Sequence, residues 1–355
     1  MKKLSVCILF GGISPEHEVS LRSAESVLNS IDHEKYHVFP VGITKDGDWV
    51  LFGGDDYSML PAGTWQDCEN NRRAAISPVH GQGLLSFEND CVVRERIDVV
   101  FPVIHGSTGE DGAIQGLLQI AGIPYVGPHV ASSAVCMDKC LTKLVVDHAG
   151  VRQAQWHLVT KTAFDHDHEA MCQLVEDKFE YPVFVKPAGT GSSVGVSKAR
   201  DREELMAALE LALRYDRKVL VEEFIDGKEI ECAVMGNDTP VASVCGEVDP
   251  GANFYDYEAK YITDTSSLYI PARIDDAAAE QVCELAVKIY SALDCCGLSR
   301  VDFFVKKDGE VVFNEINTIP GFTSISMYPK LFEASGIPTT QLIDDLLELA
   351  LESHQ

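Results

Sequence analysis

The segment from Arg300 to Met327, with the sequence RVDFFVKKDGEVVFNEINTIPGFTSISM, limits the possible folds more than any other stretch of the chain. Two apolar, β-branched runs flank the pair Asp308-Gly309, and an Asp-Gly pair in this setting is a strong signal for a β-hairpin. Such a pair favours a type I′ turn with a two-residue loop, which would place Val305 opposite Val312. The segment therefore predicts two antiparallel strands whose register follows by counting outward from the loop.

One face of the predicted hairpin collects polar side chains. Counting outward places Asp302 opposite Glu315 and Arg300 opposite Asn317. Successive side chains of a strand point to opposite faces, so these four residues share one face of the sheet. The other face is predicted to be hydrophobic core, with Val301, Phe303, Val305, Val312 and Ile316.

The pairing of two carboxylates needs an explanation, because like charges directly opposite each other destabilise a hairpin. A hard divalent cation between Asp302 and Glu315 would offset the repulsion, and the side-chain oxygen of Asn317 could be a third ligand. The alternative is a solvated polar face without a metal, as antiparallel sheets often have. The loop that follows, NTIPGFTS, leaves the strand at this end and is a place where a substrate could dock.

Length, charge and cysteine content narrow the class of protein. A chain of 355 residues is too long for one ordinary core, so more than one domain is expected. No apolar run reaches the roughly 18 residues that a transmembrane helix needs. The net charge of -26 argues against a nucleic-acid partner, and an anionic ligand would have to meet local cations or bound metal. The eleven cysteines include no C-x-x-C pair, which favours reduced thiols in the cytoplasm.

The beginning of the chain has an α/β pattern. An apolar run from Leu4 to Phe10 is followed by Gly-Gly and an amphipathic stretch to about Asn29, and residues 37–44 and 98–104 are predicted to be further strands. The last strand runs into HGSTGEDG, a Gly-rich loop before a helix, which suits close backbone approach to a ligand. An ordinary helix N-terminus with acidic residues near the dipole is the alternative. Beyond these elements, a single helix is expected over residues 131–149.

Further loops in the middle of the chain are candidates for ligand contact. The strand PVFVKP contains Lys186 and runs into AGTGSSVG, whose successive N–H groups could hold phosphate oxygens; a flexible hairpin loop is the alternative. No Walker A sequence occurs in the chain. Residues 218–225 and 228–235 are expected to pair as a hairpin through Asp226-Gly227. Residues 249–262, DPGANFYDYEAKYI, are predicted to form a mobile lid, with a plain surface loop as the alternative.

Together these motifs resemble the D-alanine:D-alanine ligases of the ATP-grasp superfamily over nearly the whole chain. The matching stretches are GGISPEHEVS, HGSTGEDGAIQG, MDK, VFVKP followed by GSSVG, VEEFIDGKE, FYDYEAKY, SRVDFF and NEINTIPGFTSISMYP. The resemblance implies a mixed α/β and α+β fold, in which an N-terminal pre-ATP-grasp (Rossmann-like) α/β domain, residues 1–129, precedes a two-part ATP-grasp fold. Its central subdomain would span residues 130–223, and its C-terminal subdomain, with the metal site and the lid, residues 224–355.

The resemblance also implies which residues contact the nucleotide and the metal. Lysines would meet the ATP phosphates, Glu222 would accept a hydrogen bond from the adenine amine, and Glu229 would accept one from a ribose hydroxyl. The set implied for ATP is Lys139, Lys186, Ser193, Glu222, Glu223, Phe224, Ile225, Glu229, Phe254 and Lys260. The set implied for two magnesium ions, for which manganese could substitute, is Asp302, Glu315 and Asn317.

The substrates implied by the resemblance are ATP and two molecules of D-alanine. Glu16 would receive the ammonium of the first D-alanine, and Ser326 the carboxylate of the second. The residues implied for catalysis are Glu16, Ser192, Tyr261, Arg300 and Ser326. The residues implied for substrate binding are His105, Glu110, Gly321 and Met327.

The activity implied by the resemblance is ligation of the two D-alanines through an acyl phosphate, for peptidoglycan precursor synthesis, by a cytoplasmic homodimer with no membrane or nucleic-acid partner. Two alternatives stay open. A D-alanine:D-serine ligase of the vancomycin-resistance type shares the scaffold, although the apolar Met327 suits a methyl group better. A non-catalytic ATP-binding regulatory protein is the other, although no phosphate lysine or metal ligand is missing. Ile325 stands where some members have histidine, and Glu223 where some have lysine.

Overall fold

The computed structural model describes residues 3–89, 91–191, 193–249 and 267–354. Its described strands form three sheets that follow one another along the chain. The strands are β1 (Leu4–Gly11), β2 (Tyr36–Ile43), β3 (Trp49–Leu51), β4 (Arg72–Ile76), β5 (Leu84–Glu88), β6 (Cys91–Glu95), β7 (Val99–Pro102), β8 (Trp156–Thr160), β9 (Val183–Pro187), β10 (Ser197–Ala199), β11 (Lys218–Glu223), β12 (Gly227–Met235), β13 (Val241–Asp249), β14 (Ser267–Tyr269), β15 (Leu298–Lys306) and β16 (Val311–Asn317).

Helices of varied length cover these sheets. They are α1 (His17–Ser30), α2 (Ala113–Ala121), α3 (Val130–Met137), α4 (Lys139–His148), α5 (Lys161–His166), α6 (His168–Glu176), α7 (Arg202–Ala212), α8 (Asp276–Ala292), α9 (Met327–Ala334) and α10 (Thr339–Ser353), with short 3-10 helices at Tyr57–Met59 and Trp65–Asp67. Among the helices of the described ranges, none has both the length and the apolar surface that crossing a bilayer requires.

The helix expected over residues 131–149 is in fact two helices, α3 and α4. Asp138 separates them with an extended backbone, and its carboxylate accepts hydrogen bonds from the N–H groups of Cys140 (3.0 Å) and Leu141 (3.3 Å). Aspartate is a favoured N-cap because it satisfies N–H groups that have no partner within the helix. The break places Lys139 in the first turn of α4.

The first sheet is organised around β1, which lies parallel to β2 and β7, while the sheet continues antiparallel through β3 to β6. Alternate side chains of β1 enter two different cores: Val6, Ile8 and Phe10 pack with α1, and Cys7 and Leu9 pack with α2. A strand that is covered on both faces has a continuous apolar sequence, which explains why β1 was recognisable from the sequence.

Strands β11 and β12 do not form the hairpin expected through Asp226-Gly227. In the second sheet, β11 lies between β8 and β9, and in the third sheet β12 lies between β13 and β15. Each of the two strands therefore has a hydrogen-bonded neighbour on both edges already. The Asp-Gly pair instead carries the chain from one sheet to the other, so that two antiparallel sheets follow the first one.

The hairpin of β15 and β16 is present, but its loop differs from the predicted one. The loop has three residues, 307–309, of which Gly309 has a positive φ of +87°. Such a loop combines a type I turn with one left-handed residue, whereas the predicted type I′ turn needs two. As a result, Val305 pairs with Val311 and not with Val312.

A β-bulge at Asn314 cancels this shift before the polar end of the hairpin. Beyond it, Asp302 pairs with Glu315 and Arg300 pairs with Asn317, as predicted. One extra residue in the loop and one extra residue in the bulge offset each other. The pairing of the polar residues is thus confirmed, although the loop from which it was counted was wrong.

The bulge also changes the core face of the hairpin. Val312 is buried, but it does not belong to the core that the prediction assigned to it. The hairpin residues in that core are Val301, Phe303, Val305, Val311, Phe313 and Ile316. The correction follows from the pairing, because a shift of one residue exchanges the two faces of a strand.

Replacing Gly309 by alanine should lower the free energy of unfolding by roughly 1 kcal/mol, because a Cβ strains the left-handed conformation although it meets no other atom. Gly116→Ala is the matched control, since a Cβ meets nothing there either and the interior of α2 favours alanine, by up to about 1 kcal/mol. Urea unfolding measures both variants. A change of the same sign in the two would contradict the loop geometry.

Candidate active site

Three carboxylates form a line across the third sheet. Glu231 of β12 pairs with Asp302 of β15, which in turn pairs with Glu315 of β16. Side chains directly opposite each other on adjacent strands lie about 5 Å apart, so the line concentrates negative charge on one face. Sequence analysis found two of the three residues. It missed Glu231 because the pairing of β12 with β15 joins segments that are distant in the chain and leaves no short-range signal.

Arg300 neutralises the centre of this carboxylate line. Its Nε and Nη2 atoms donate to the two carboxylate oxygens of Asp302, at 2.8 and 2.7 Å, and its Nε lies 3.0 Å from an oxygen of Glu231. Asn317 Nδ2 donates to Asp302 Oδ2 at 3.0 Å. Paired, forked hydrogen bonds between ionised groups are among the stronger polar contacts, so the orientation of Asp302 is well determined.

The donor atoms on this face fit a hard divalent cation. Asp302, Glu315 and Asn317 supply carboxylate and amide oxygens, the ligands that Mg²⁺ prefers. With its nitrogen bonded to Asp302, Asn317 offers its oxygen as the ligand atom. The alternative of a solvated polar face does not describe Asp302, which is only 7% exposed. The roles of the three residues as metal ligands stay predictions.

On the second sheet, a buried carboxylate is held between two lysines. Glu222 Oε2 lies 2.8 Å from Lys186 Nζ, and Glu222 Oε1 lies 3.0 Å from Lys143 Nζ. Burial alone would raise the pKa of Glu222, but Lys143 and Lys186 together lower it to about 2. The carboxylate is therefore ionised at neutral pH, which the implied role as acceptor for the adenine amine requires.

Lys143 is a site residue that sequence analysis missed. It lies one turn after Lys139 on α4, on the buried face of that helix with Cys140 and Val146, and it is 2% exposed. A lysine at the spacing of an apolar helix face is the signal that could have revealed it, because lysine is almost never fully buried without a charged partner. That partner is Glu222.

Lys186 links the two antiparallel sheets. Its Nζ also donates to Oδ1 of Asn314, the residue of the β-bulge, at 3.3 Å. Burial alone would lower the pKa of Lys186, but the carboxylates of Glu222, Glu315 and Glu229 raise it above its usual value. The cleft between the sheets therefore has a fixed positive charge on one side, close to the carboxylates on the other.

The Gly/Ser loop after β9 is held by hydrogen bonds within itself and to α4. Lys139 Nζ donates to the carbonyl oxygen of Thr190 (2.6 Å), and the Thr190 hydroxyl donates to the carbonyl oxygen of Val194 (3.0 Å). Ser193 has a φ of +58°, which is uncommon for a residue other than glycine. Lys139 thus contacts the Gly/Ser loop, and this position agrees with its implied role at the phosphates.

Glu223 follows Glu222 on β11, so its side chain lies on the opposite face of that strand. Its carboxylate accepts hydrogen bonds from Arg152 Nη2 (3.0 Å) and from the N–H of Gln155 (2.8 Å). Phe224 is 38% exposed, and Ile225 is partly buried. The Glu223 side chain therefore ties β11 to the segment with Arg152 and Gln155. A contact of Glu223 with the adenine edge would come from its backbone.

Glu16 lies at the start of α1, between two glycine loops. A Cβ on Gly106 would lie 2.2 Å from Glu16 Oε2, and a Cβ on Gly191 would lie 3.1 Å from the same atom. Gly106 also has a φ of +73°, so glycine alone fits that position. Gly191 directly precedes Ser192 in the chain. Glu16 therefore lies close to the loop that contains Ser192, the residue with which the resemblance implies a contact on lid closure.

His105 and Glu110 clamp the peptide groups of Ile319 in the loop after β16. His105 Nδ1 donates to the Ile319 carbonyl oxygen (3.0 Å), while its Nε2 accepts from the Ser23 hydroxyl (2.9 Å). Glu110 accepts from the Ile319 N–H (3.2 Å). Burial lowers the pKa of His105 to about 4, and burial together with Glu16 raises the pKa of Glu110 to about 8. Both residues position the loop, and their contact with substrate stays a prediction.

Short contacts hold the loop that is implied to bind the second D-alanine. The N–H of Thr323 donates to Ser326 Oγ (3.0 Å), and a Cβ on Gly321 would lie 2.7 Å from that oxygen. Met327, the first residue of α9, is buried, with its Cε 2.2 Å from the position of a Cβ on Gly246. Gly321 and Ser326 therefore adjoin each other, and Met327 packs against β13.

Part of the implied site falls outside the described residues. This applies to Ser192, Phe254, Lys260 and Tyr261. It also applies to the predicted lid, residues 249–262, with the exception of Asp249. The roles of these residues stay predictions.

Comparison with protein families covers nearly the whole chain. The model described as D-ala D-ala ligase N-terminus matches residues 5–128, and the model described as D-ala D-ala ligase C-terminus matches residues 145–348. The chain belongs to the D-alanine–D-alanine ligase family. The resemblance inferred from the motifs is therefore confirmed.

Individual members of the family are similar over their full length. The D-alanine–D-alanine ligase of Acetivibrio thermocellus is 50% identical, covering 99% of this chain and 97% of the relative, and that of Clostridium novyi is 51% identical, covering 99% of each. Among solved structures, the VanG D-Ala:D-Ser ligase from Enterococcus faecalis has a TM-score of 0.89 at 40% identity, covering 98% of this chain and 100% of that one. The D-alanine-D-alanine ligase from Coxiella burnetii has a TM-score of 0.87 at 37% identity, covering 100% and 96%. These matches confirm the ATP-grasp fold and the class of ATP-dependent, ADP-forming ligases.

Replacing Lys143 by methionine should lower the free energy of unfolding by roughly 3 kcal/mol, because Glu222 stays buried with one of its two cationic partners gone. Lys161→Met is the matched control. The pair of Lys161 with Asp165 (3.7 Å) is exposed, so its loss should cost less than about 1 kcal/mol. Urea unfolding of both variants gives the difference, and a small, equal effect in the two would contradict the role assigned to Lys143.

The low pKa of Glu222 should make the stability of this ligase sensitive to acid. The pKa is about 2 in the folded protein, below the ordinary value of 4.5. The stabilising contribution is therefore complete above pH 4.5 and is lost as the pH falls from about 4.5 towards about 2. Unfolding measured across this interval should show a smaller loss of stability in Lys143→Met, since one lysine lowers the pKa less than two. Identical acid dependence in the two chains would rule out Lys143 as a cause.

Proposed function

We propose that this chain ligates two D-alanine molecules to D-alanyl-D-alanine at the expense of ATP, through a D-alanyl phosphate, for peptidoglycan precursor synthesis. The observation that carries the proposal is the pair of facing sheets. One presents Lys186 and Glu222, the other presents Asp302 and Glu315, and the hydrogen bond from Lys186 to Asn314 joins them. The names of the family members at about half identity support the same reaction.

The reaction needs an activated acyl group, because a carboxylate is a poor acyl donor. Transfer of the γ-phosphoryl group of ATP to the first D-alanine forms an acyl phosphate, and bound magnesium, or manganese, would neutralise the phosphate charge during transfer. Lys139 and Lys186 would hold the phosphates. Glu222, kept ionised by its two lysines, would accept the hydrogen bond of the adenine amine, and Glu229 would accept one from the ribose.

Arg300 is the proposed donor to the oxyanion that forms when the amine of the second D-alanine attacks the acyl phosphate. The C–O bond to phosphate then breaks, phosphate leaves, and the amine gives up its proton. Arg300 forms ion pairs with Glu231 as well as with Asp302, so Glu231 would still hold its guanidinium if Asp302 served as a metal ligand. The N–H of Gly321 would be the second donor. Gly321 lies in the loop after β16, which His105 and Glu110 hold through hydrogen bonds to Ile319.

The first D-alanine is proposed to bind at Glu16, whose carboxylate would pair with its ammonium group. Closure of the lid, with Tyr261 joining Glu16 and Ser192, would keep water from the acyl phosphate. Ser326 would receive the carboxylate of the second D-alanine. The close contacts of Glu16 with two glycines, and of Ser326 with Gly321 and Thr323, support these assignments because they restrict the positions of both side chains.

A D-alanine:D-serine ligase is the second candidate. It is favoured by the similarity to the solved VanG D-Ala:D-Ser ligase. Met327, which the resemblance assigns to the second subsite, is buried and provides no polar group for an additional hydroxyl. A pocket of this kind rejects the hydroxyl by roughly a hundredfold at most, so D-alanine is preferred without D-serine being excluded.

The assembly and location of the enzyme are proposed from the resemblance. We place it in the cytoplasm as a homodimer, with the domain limits given above. All eleven cysteines, each within the described ranges, are free thiols, which supports a reducing compartment.

The reaction is tested by phosphate release from ATP with D-alanine alone, D-serine alone and both together, with the products identified by mass spectrometry. D-alanine alone should support turnover and yield D-alanyl-D-alanine. Release that requires the mixture and yields D-alanyl-D-serine would replace the proposal by the second candidate. No release in any mixture would overturn both.

Asp302→Asn should lower the turnover rate by at least about 100-fold, because the metal loses a charged ligand while the fold keeps its shape. Asp308→Asn is the matched control, since Asp308 lies at the exposed tip of the same hairpin, with its side chain 67% exposed. It should leave the rate unchanged. An unaltered rate in Asp302→Asn would discredit the metal assignment.

A further inference from the structure

Three thiols meet on the back of the third sheet. Cys232 of β12 lies directly opposite Cys245 of β13, and Cys283 of α8 packs onto this pair. The three Sγ atoms all lie within 4.8 Å of one another, and those of Cys245 and Cys283 are 3.7 Å apart. Within the described ranges, this is the one group of three or more Cys, His, Asp or Glu side chains whose ligand atoms converge in this way.

The sulfur spacing matches that of thiolates on one metal ion. Zinc binds thiolate sulfur at about 2.3 Å, and two such bonds at a tetrahedral angle place the sulfurs about 3.8 Å apart. The 3.7 Å between Cys245 and Cys283 is close to that value. Small thiols can also pack together simply as apolar groups. What separates the two explanations is whether an ion can reach the sulfurs and whether the surroundings attract it.

Both conditions are met at this cluster. Cys232 and Cys245 are 0% and 4% exposed, but Cys283 is only partly buried. Together with Cys245, it lines a surface pocket of about 650 Å³. The same pocket is lined by the acidic side chains Asp276, Glu280 and Glu284 of α8. An acidic entrance of this kind raises the local concentration of cations.

A second close pair of thiols in the chain lacks these features. Cys136 and Cys295 have their Sγ atoms 3.8 Å apart, and both are buried. Among the described residues, no third thiol lies within ligand distance of this pair, and neither cysteine lines the pocket described above. It therefore serves as an internal comparison for the three-thiol cluster.

We propose that Cys232, Cys245 and Cys283 bind one thiophilic divalent metal ion of the Zn²⁺ class, with the fourth ligand supplied by water or by a molecule in the pocket. Each thiol would release its proton to solvent as its sulfur coordinates the ion. Three sulfur ligands select soft metals over magnesium, which prefers oxygen.

The proposed site shares no ligand with the active site, although the two are close in the chain. Cys232 follows Glu231 directly, and successive side chains of a strand point to opposite faces. Glu231 contacts Arg300 on the face of the carboxylate line, whereas Cys232 belongs to the core on the other face. Binding at the thiols can therefore be measured with magnesium present.

The experiment titrates the reduced, metal-free full-length protein with Cd²⁺, a spectroscopic probe for zinc-type thiolate sites, in an excess of Mg²⁺. We expect about one tightly bound Cd²⁺ per chain and an ultraviolet absorption from thiolate-to-metal charge transfer. Loss of an outer contact to a ligand weakens metal binding by about 10- to 100-fold, so Cys283→Ala and Cys245→Ala should each weaken it by at least about 100-fold.

Matched controls remove thiols elsewhere. Cys295→Ala deletes one sulfur of the other close pair, and Cys172→Ala deletes a buried cysteine of α6; both should bind Cd²⁺ as the parent does. Three results would overturn the proposal: no tight Cd²⁺ in the parent chain, binding without the thiolate absorption, or a loss in Cys295→Ala as large as in Cys283→Ala. Titration of the parent chain decides the first two even if a variant fails to fold, and circular dichroism checks the variants.

Discussion

The alignment of Glu231, Asp302 and Glu315 across three adjacent strands is the constraint on which the site depends. Three anions a strand spacing apart repel one another, and a sheet tolerates them only if cations lie among them. Arg300 supplies one cation from the same face. Negative charge remains on this face, so it would repel a phosphate without metal. It suits a nucleotide whose phosphates are accompanied by magnesium. In this way, the acidic character of the whole chain is compatible with an anionic substrate.

The facing sheet supplies the complementary charge in a different manner. Lys143 and Lys186 enclose Glu222, so that the carboxylate stays ionised, and therefore a hydrogen-bond acceptor, although it is buried. Because both partners are on separate elements, α4 and β9, the triad also fixes how that helix lies against the second sheet. Lys186 then reaches Asn314 on the third sheet. One lysine thus takes part in folding, in joining the sheets and, under the proposed function, in binding phosphate.

The polar face of the hairpin was predictable because alternation along a strand depends on local sequence alone. Lys143 and Glu231 were missed because their place in the site depends on a partner that is distant in the sequence: Glu222 for Lys143 and Asp302 for Glu231. The hairpin expected at Asp226-Gly227 failed for a related reason: a turn signal is local, but the neighbours of a strand are decided by the whole sheet. The break at Asp138 shows the opposite case, in which a capping residue could have been recognised within an apparently continuous helix.

The bulge at Asn314 separates the tip of the hairpin from its acidic end. Pairing beyond the bulge is the same whether the tip closes with two residues and a regular ladder or with three residues and a bulge. A change between a two-residue and a three-residue loop is thus offset by the bulge before it reaches Asp302. The turn that closes the hairpin and the pairing of its acidic residues are therefore decoupled, so a disturbance of the turn need not displace Asp302 from Glu315.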